Sequence, residues 1–124
     1  MGEENDMVAP SRSFSSVVVD LAEIVDWPSF HAVFKEKMGF PDFYGANMSA
    51  WVDCMTSLDA PEDGMSKVHA PSSGVLVLAL ESVADFKKRR PEIFDVLVSS
   101  AAFVNWRRLE TGHAPVLVLS YYES

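Results

Sequence analysis

Three short apolar runs constrain the fold of this chain more than any other feature: residues 16–21 (SVVVDL), 74–80 (GVLVLAL) and 115–120 (PVLVLS). Each has the length of a strand, is rich in Val and Leu, and is far too short to cross a bilayer. The segments between them are too long for hairpin turns and carry helical periodicity. Strands joined through helices pair in parallel, which a tight turn cannot achieve. The unbroken apolar character of residues 74–80 further predicts a strand covered on both faces.

The helical segments have readable faces and ends. In residues 26–41, Trp27, Phe30, Phe34 and Met38 recur at spacings of three and four and form one stripe. Asp26 or Trp27 stands at the cap position, Pro28 suits the first turn, and Gly39 with Pro41 ends the helix. A second helix is predicted from residue 47 to about residue 58. Met48, Trp51, Val52 and Met55 share one of its faces, and Ser49, Asp53 and Thr56 another. Residues 59–74 read as a long loop. A short helix over residues 81–90 stops at Pro91, and a longer one over 91–109 turns Phe94, Leu97, Val98 and Ala101 inward. The expected class is α/β, a single domain over residues 14–124 with a three-stranded parallel sheet packed with about four helices. Residues 1–13 are expected to form a flexible tail.

Catalytic signatures are missing. There is no glycine-rich phosphate loop, no GxSxG, no HExxH and no cysteine pair with metal-ligand spacing, so no enzymatic activity, cofactor or metal is expected. His31 on the first helix, His69 in the long loop and His113 before the last strand read as scattered surface or boundary residues. Cys54 sits mid-helix beside Asp53, where nothing lowers a thiol pKa, and reads as a buried structural thiol. A single cysteine and an acidic, polar N-terminus unlike a secretory signal point to a reducing, cytoplasmic location.

Charge is the unusual quantity. The 18 acids and 10 Lys or Arg residues leave a net −8, which disfavours nucleic acid as a direct ligand because phosphates need basic partners. The excess is also localised. Residues 38–66 contain no Lys or Arg, whereas Asp42, Asp53, Asp59, Glu62 and Asp63 all fall there. The opposite run, Lys87 to Arg90, reads as the solvated end of a helix, where cations favour the dipole. Within the acidic segment, Gly45 is expected to let the chain turn, and Asn47 or Ala46 to cap the helix. One ring of Phe43 and Tyr44 is free to pack inward while the other stays exposed. An exposed aromatic beside an acid on a rigid helix resembles a hot spot for a basic cleft. Both rings in the core, with Asp53 merely solvated, fits the same pattern.

Residues 40–56, FPDFYGAN followed by MSAWVDCMT, resemble the barstar family of intracellular inhibitors of barnase-type ribonucleases. The family pattern is an aromatic pair, Gly, any residue, Asn, Leu, Asp, Ala, Leu, Trp, Asp, Cys, Leu, Thr. The resemblance implies a barstar-like fold and inhibition by occupation. The loop and second helix fill the enzyme's cleft, and an aspartate takes the place of a substrate phosphate against its cations. That aspartate falls on Asp53, the turn glycine on Gly45, the asparagine on Asn47, the contact tyrosine on Phe43 and the threonine on Thr56. Tyr44, Ser49 and Val52 complete the expected contact set, with Asp42, Asp59, Glu62 and Asp63 as an acidic rim. The resemblance also implies association steered by opposite charge.

The departures from the pattern point to a target other than barnase. Ser49 stands where the family has an acid, and Phe43 lacks the tyrosine hydroxyl. Leu-Trp has become Trp51-Val52, which moves the indole about 100° around the helix towards a more buried side. The 59–74 loop is longer than the family's connection, and Arg107 and Arg108 replace acids near the end of the last long helix. The expected partner is therefore a basic, secreted ribonuclease toxin, with no direct contact to nucleic acid or membrane and a monomeric free protein. The alternative is an interaction module of the same fold without ribonuclease inhibition.

Overall fold

The structure, a computed structural model, describes residues 12–123. Strand β1 (Phe14–Asp20) is followed by a 3-10 turn (Leu21–Glu23) and helices α1 (Trp27–Met38) and α2 (Met48–Thr56). After a second 3-10 turn (Pro61–Asp63) come β2 (Val75–Glu81), α3 (Val83–Arg89), α4 (Pro91–Glu110) and β3 (Leu117–Ser120). The strands form one sheet in the order β1-β2-β3, all parallel. Phe14 pairs with Val75 and Asp20 with Glu81, while Leu76 pairs with Leu117 and Ala79 with Ser120. The α/β class and the parallel pairing follow the expectation drawn from the apolar runs.

Local chemistry sets the ends of α1. The Asp26 carboxylate accepts from the Ser29 amide, and the Ser29 hydroxyl accepts from the Asp26 amide, a reciprocal capping box that resolves the cap as Asp26. At the other end Gly39 adopts φ 68°, and a Cβ there would lie 2.6 Å from the Lys67 Cβ. Only glycine fits both the left-handed backbone and the close approach.

The sheet is covered unequally. Leu76, Leu78 and Leu80 point into the same core as Phe30 and Phe34 of α1, Trp51 and Met55 of α2, and Ile93, Leu97 and Val104 of α4. The opposite face of β2 is only half-buried, and Phe14 and Val18 of β1 and Val118 of β3 are exposed on it. The expectation of cover on both faces is thus corrected. Val75, Val77 and Ala79 on the central strand are half-buried between their two neighbours among the described residues, and the apolar run continues through them.

Two polar networks, one around buried Arg108 and one around half-buried Asn105, hold the parts together. Arg108 lies inside, donating to both oxygens of Asp59 at 2.9 and 2.8 Å, to the Thr56 carbonyl and to the Ala114 carbonyl. Asn105 accepts from the Val116 and Leu117 amides and donates to the Leu117 carbonyl, satisfying the start of edge strand β3. The basic run is more engaged than a solvated helix end. Arg89 reaches the Leu21 and Ile24 carbonyls, Arg90 the Val25 carbonyl, and Lys87 the Glu123 carboxylate. Of the expected tail, residues 1–11 lie outside the described residues. Arg12 donates to the Gly74 and Pro115 carbonyls, and the Ser13 carbonyl accepts from Val75, so both are tied to the sheet.

Candidate partner-binding face

The loop between α1 and α2 is anchored by two buried rings and leaves most of its other residues exposed. Phe40 and Tyr44 are buried with ring centroids 4.8 Å apart, and the Tyr44 amide donates to the Pro41 carbonyl to close a turn. Phe43, between them, is 75% exposed. Of the two arrangements open to the aromatic pair, the structure therefore has Tyr44 inward and Phe43 outward. The Tyr44 hydroxyl hydrogen-bonds His31 Nδ1. His31 is accordingly buried, not the surface or boundary residue expected, and burial lowers its pKa while raising that of Tyr44.

The entry to α2 is set by Ala46 and Asn47. Ala46 carries the left-handed backbone, at φ 52°, and Gly45 does not, which corrects the expected turn residue. A Cβ on Gly45 would nevertheless sit 3.2 Å from Asn47 Nδ2, a close contact. The Asn47 side chain caps α2 by accepting from the Ala50 amide at 2.8 Å, and its Nδ2 donates back to the Gly45 carbonyl. Both ends of the amide are used to brace the loop on the helix.

On α2 the expected face divides. Ser49 and Asp53 are exposed, whereas Val52 is buried in the core and reaches only the edge of the face. The Thr56 hydroxyl turns back to the Val52 carbonyl at 2.6 Å. Trp51 is fully buried against Phe34, as its displacement around the helix predicts, and its Nε1 has no hydrogen-bond partner among the described residues. Cys54 is buried too, and burial together with the neighbouring Asp53 pushes its thiol up to about 11. It is an inert thiol.

The acids divide as well. Asp53 and Asp63 line one open depression with Thr56, Ser57, Met65 and Arg107. Asp42 and Glu62 are exposed. Asp59 is otherwise engaged, since the bidentate contact with Arg108 makes it part of the scaffold and holds its carboxyl below the usual range. It also lines a depression with Glu62 and Asp63 of the expected rim. Asp53 itself meets Arg107, whose Nη1 donates to Asp53 Oδ1 at 2.9 Å.

A family model described as Barstar (barnase inhibitor) matches residues 14–119, nearly the whole chain. The chain belongs to the barstar family. No curated protein matches it significantly. Within this barstar-family chain, the motif positions fall into exposed groups (Phe43, Ser49, Asp53) and groups that hold them in place (Tyr44, Asn47, Val52, Thr56). Sequence reasoning missed Phe103, which lines a hollow with Met48, Ser49, Val52, Asp53 and Arg107, and its stacked neighbour Trp106. A signal was present, because residues 103 and 106 fall off the inward face of the last helix set by Phe94, Leu97 and Ala101.

Proposed function

We propose that this chain is a cytoplasmic inhibitor, an immunity protein, of a basic and secreted barnase-type ribonuclease, and that it acts by filling the enzyme's cleft with the loop before α2 and with α2 itself. The observation that carries the reading is the exposure of Phe43 on a loop braced on both sides. Its neighbours are fixed by the Tyr44–His31 and Asn47–Gly45 contacts, so the loop has little conformational freedom left to lose when the aromatic ring inserts into a partner. Asp53 is exposed on α2, the helix that follows this loop, and its carboxylate offers guanidinium groups a pair of acceptor oxygens like those they recognise in a phosphate. Asp42, Glu62 and Asp63 supply long-range attraction for a basic enzyme. In this reading the free protein is a monomer and touches neither nucleic acid nor membrane.

The test is inhibition of RNA hydrolysis by a panel of barnase-type ribonucleases of differing cleft charge. The expected result is stoichiometric inhibition of at least one, with association slowed by added salt. Asp53→Ala is expected to weaken that complex about ten- to hundredfold, the size of a lost charge-assisted hydrogen bond, mostly through faster dissociation. Inhibition of no member would exclude the reading. A second reading, a barstar-like interaction module without ribonuclease inhibition, is favoured by the lack of an acid at Ser49 and by the cation already paired with Asp53. Binding to a basic nuclease that leaves its turnover intact would support it.

A further inference from the structure

The centre of the proposed contact face is an ion pair and not a lone acid. Arg107 of α4 reaches across to Asp53 of α2, with the two side chains 45% and 52% exposed. Both residues line two hollows, one with Ser49 and Phe103 and the other with Thr56 and Asp63, so the pair forms the ridge between them. Any partner that covers Asp53 therefore covers Arg107. A single hydrogen bond joins the pair, through Arg107 Nη1 and Asp53 Oδ1, and a half-exposed pair of this kind is weak. Asp53 is free to turn to an incoming cation. Arg107 then faces that same cation at close range in a surface that has lost its water, where like charges repel strongly.

We propose that Arg107 is a specificity-determining residue, which rejects ribonuclease clefts lined by cations alone and selects a partner that places a carboxylate against it beside the cation that takes Asp53. The inference rests on the ribonuclease-inhibitor reading and sharpens it. The ridge then makes an alternating arrangement of four charges with its partner, in which the wrong enzyme pays for the absence of one acid. Phe103 lies in the hollow beside Arg107, so a partner seated on the guanidinium also covers this aromatic ring.

Barnase, the enzyme named by the family, is the probe, titrated against the wild-type chain and against Arg107→Ala, Arg107→Glu and Arg107→Lys. Circular dichroism checks that each variant is folded. Arg107→Ala is expected to bind barnase at least about tenfold more tightly than wild type, Arg107→Glu more tightly again, and Arg107→Lys no better than wild type. The gain should vanish when Asp53→Ala is added. Equal and tight binding by wild type and Arg107→Ala would overturn the role of Arg107 while leaving the inhibitor reading intact. Failure of every variant to bind would also overturn it, and the inhibitor reading would then stand or fall on the ribonuclease panel.

Discussion

The Tyr44 hydroxyl and His31 Nδ1, thirteen residues apart, share a hydrogen bond in the interior that fastens the loop carrying Phe43 to α1. Around it lie Trp27, stacked on the imidazole, and Phe30, edge-on to it. The pairing lets a polar ring occupy an aromatic core without an unsatisfied nitrogen at that position.

The first prediction concerns pH. Burial holds the His31 pKa below its ordinary 6.5, so the unfolded chain binds a proton that the folded chain excludes. The His31 contribution to stability is complete above 6.5, declines as pH falls from there through the lower folded value, and levels off below it. Urea denaturation from about pH 8 down to about pH 5 should show the midpoint falling in that window. His31→Gln should flatten the fall, and an unchanged slope in that variant would assign the effect to another group.

The second prediction separates the two neighbouring rings. Tyr44→Phe removes the hydroxyl that meets His31 and should cost about 1–2 kcal/mol of folding stability. Phe43→Ala, at an exposed position, should change stability by less than about 0.5 kcal/mol. In binding to a ribonuclease the order reverses, with Phe43→Ala giving the larger loss. Equal effects of the two on stability would show that Phe43 packs on the protein itself.

A third prediction follows from Ala46, held at φ 52° where an L side chain crowds the carbonyl. Ala46→Gly relieves roughly 1–2 kcal/mol of this and costs about 0.5–1 kcal/mol in unfolded-chain entropy. The expected net gain is about 0.5–1 kcal/mol, read as a higher Tm. A lower Tm would mean that the loop relaxes in solution to a conformation that alanine accepts.

These features also mark how far the sequence could be read. The parallel α/β class was legible because three apolar runs, the Trp27–Phe30–Phe34–Met38 stripe and the Gly39 stop each depend on neighbours close along the chain. The loop and α2 were legible as one motif. What stayed hidden depends on distance and on single torsions. Arg107 meets Asp53 across 54 residues and Arg108 meets Asp59 across 49, and nothing local says which of five acids each arginine selects. Ala46 rather than Gly45 takes the left-handed turn because Asn47 pins the Gly45 carbonyl from the other side. His31 reads as a boundary residue until Tyr44 is brought beside it.

The last prediction tests Asp59 as scaffold. Its carboxylate is held by the Arg108 side chain, which is only 8% exposed, and Arg108 also binds the Thr56 and Ala114 carbonyls. The contact joins the end of α2, the end of α4 and the approach to β3, so its loss is felt in the fold before it is felt at the surface. Asp59→Asn keeps the size of the side chain but leaves the buried guanidinium without its counter-charge, and should cost about 2–3 kcal/mol. The Arg108 hydrogen bonds lower the pKa of Asp59, so its contribution is complete above the ordinary 3.8 and is lost as pH falls below that through the folded value. Acid denaturation of the wild type should therefore steepen below about pH 4, and that of Asp59→Asn should not. Glu62→Gln, on the exposed turn nearby, should leave stability unchanged while slowing association with a basic partner. If Asp59→Asn instead matched Glu62→Gln in both measurements, Asp59 would belong to the acidic rim after all.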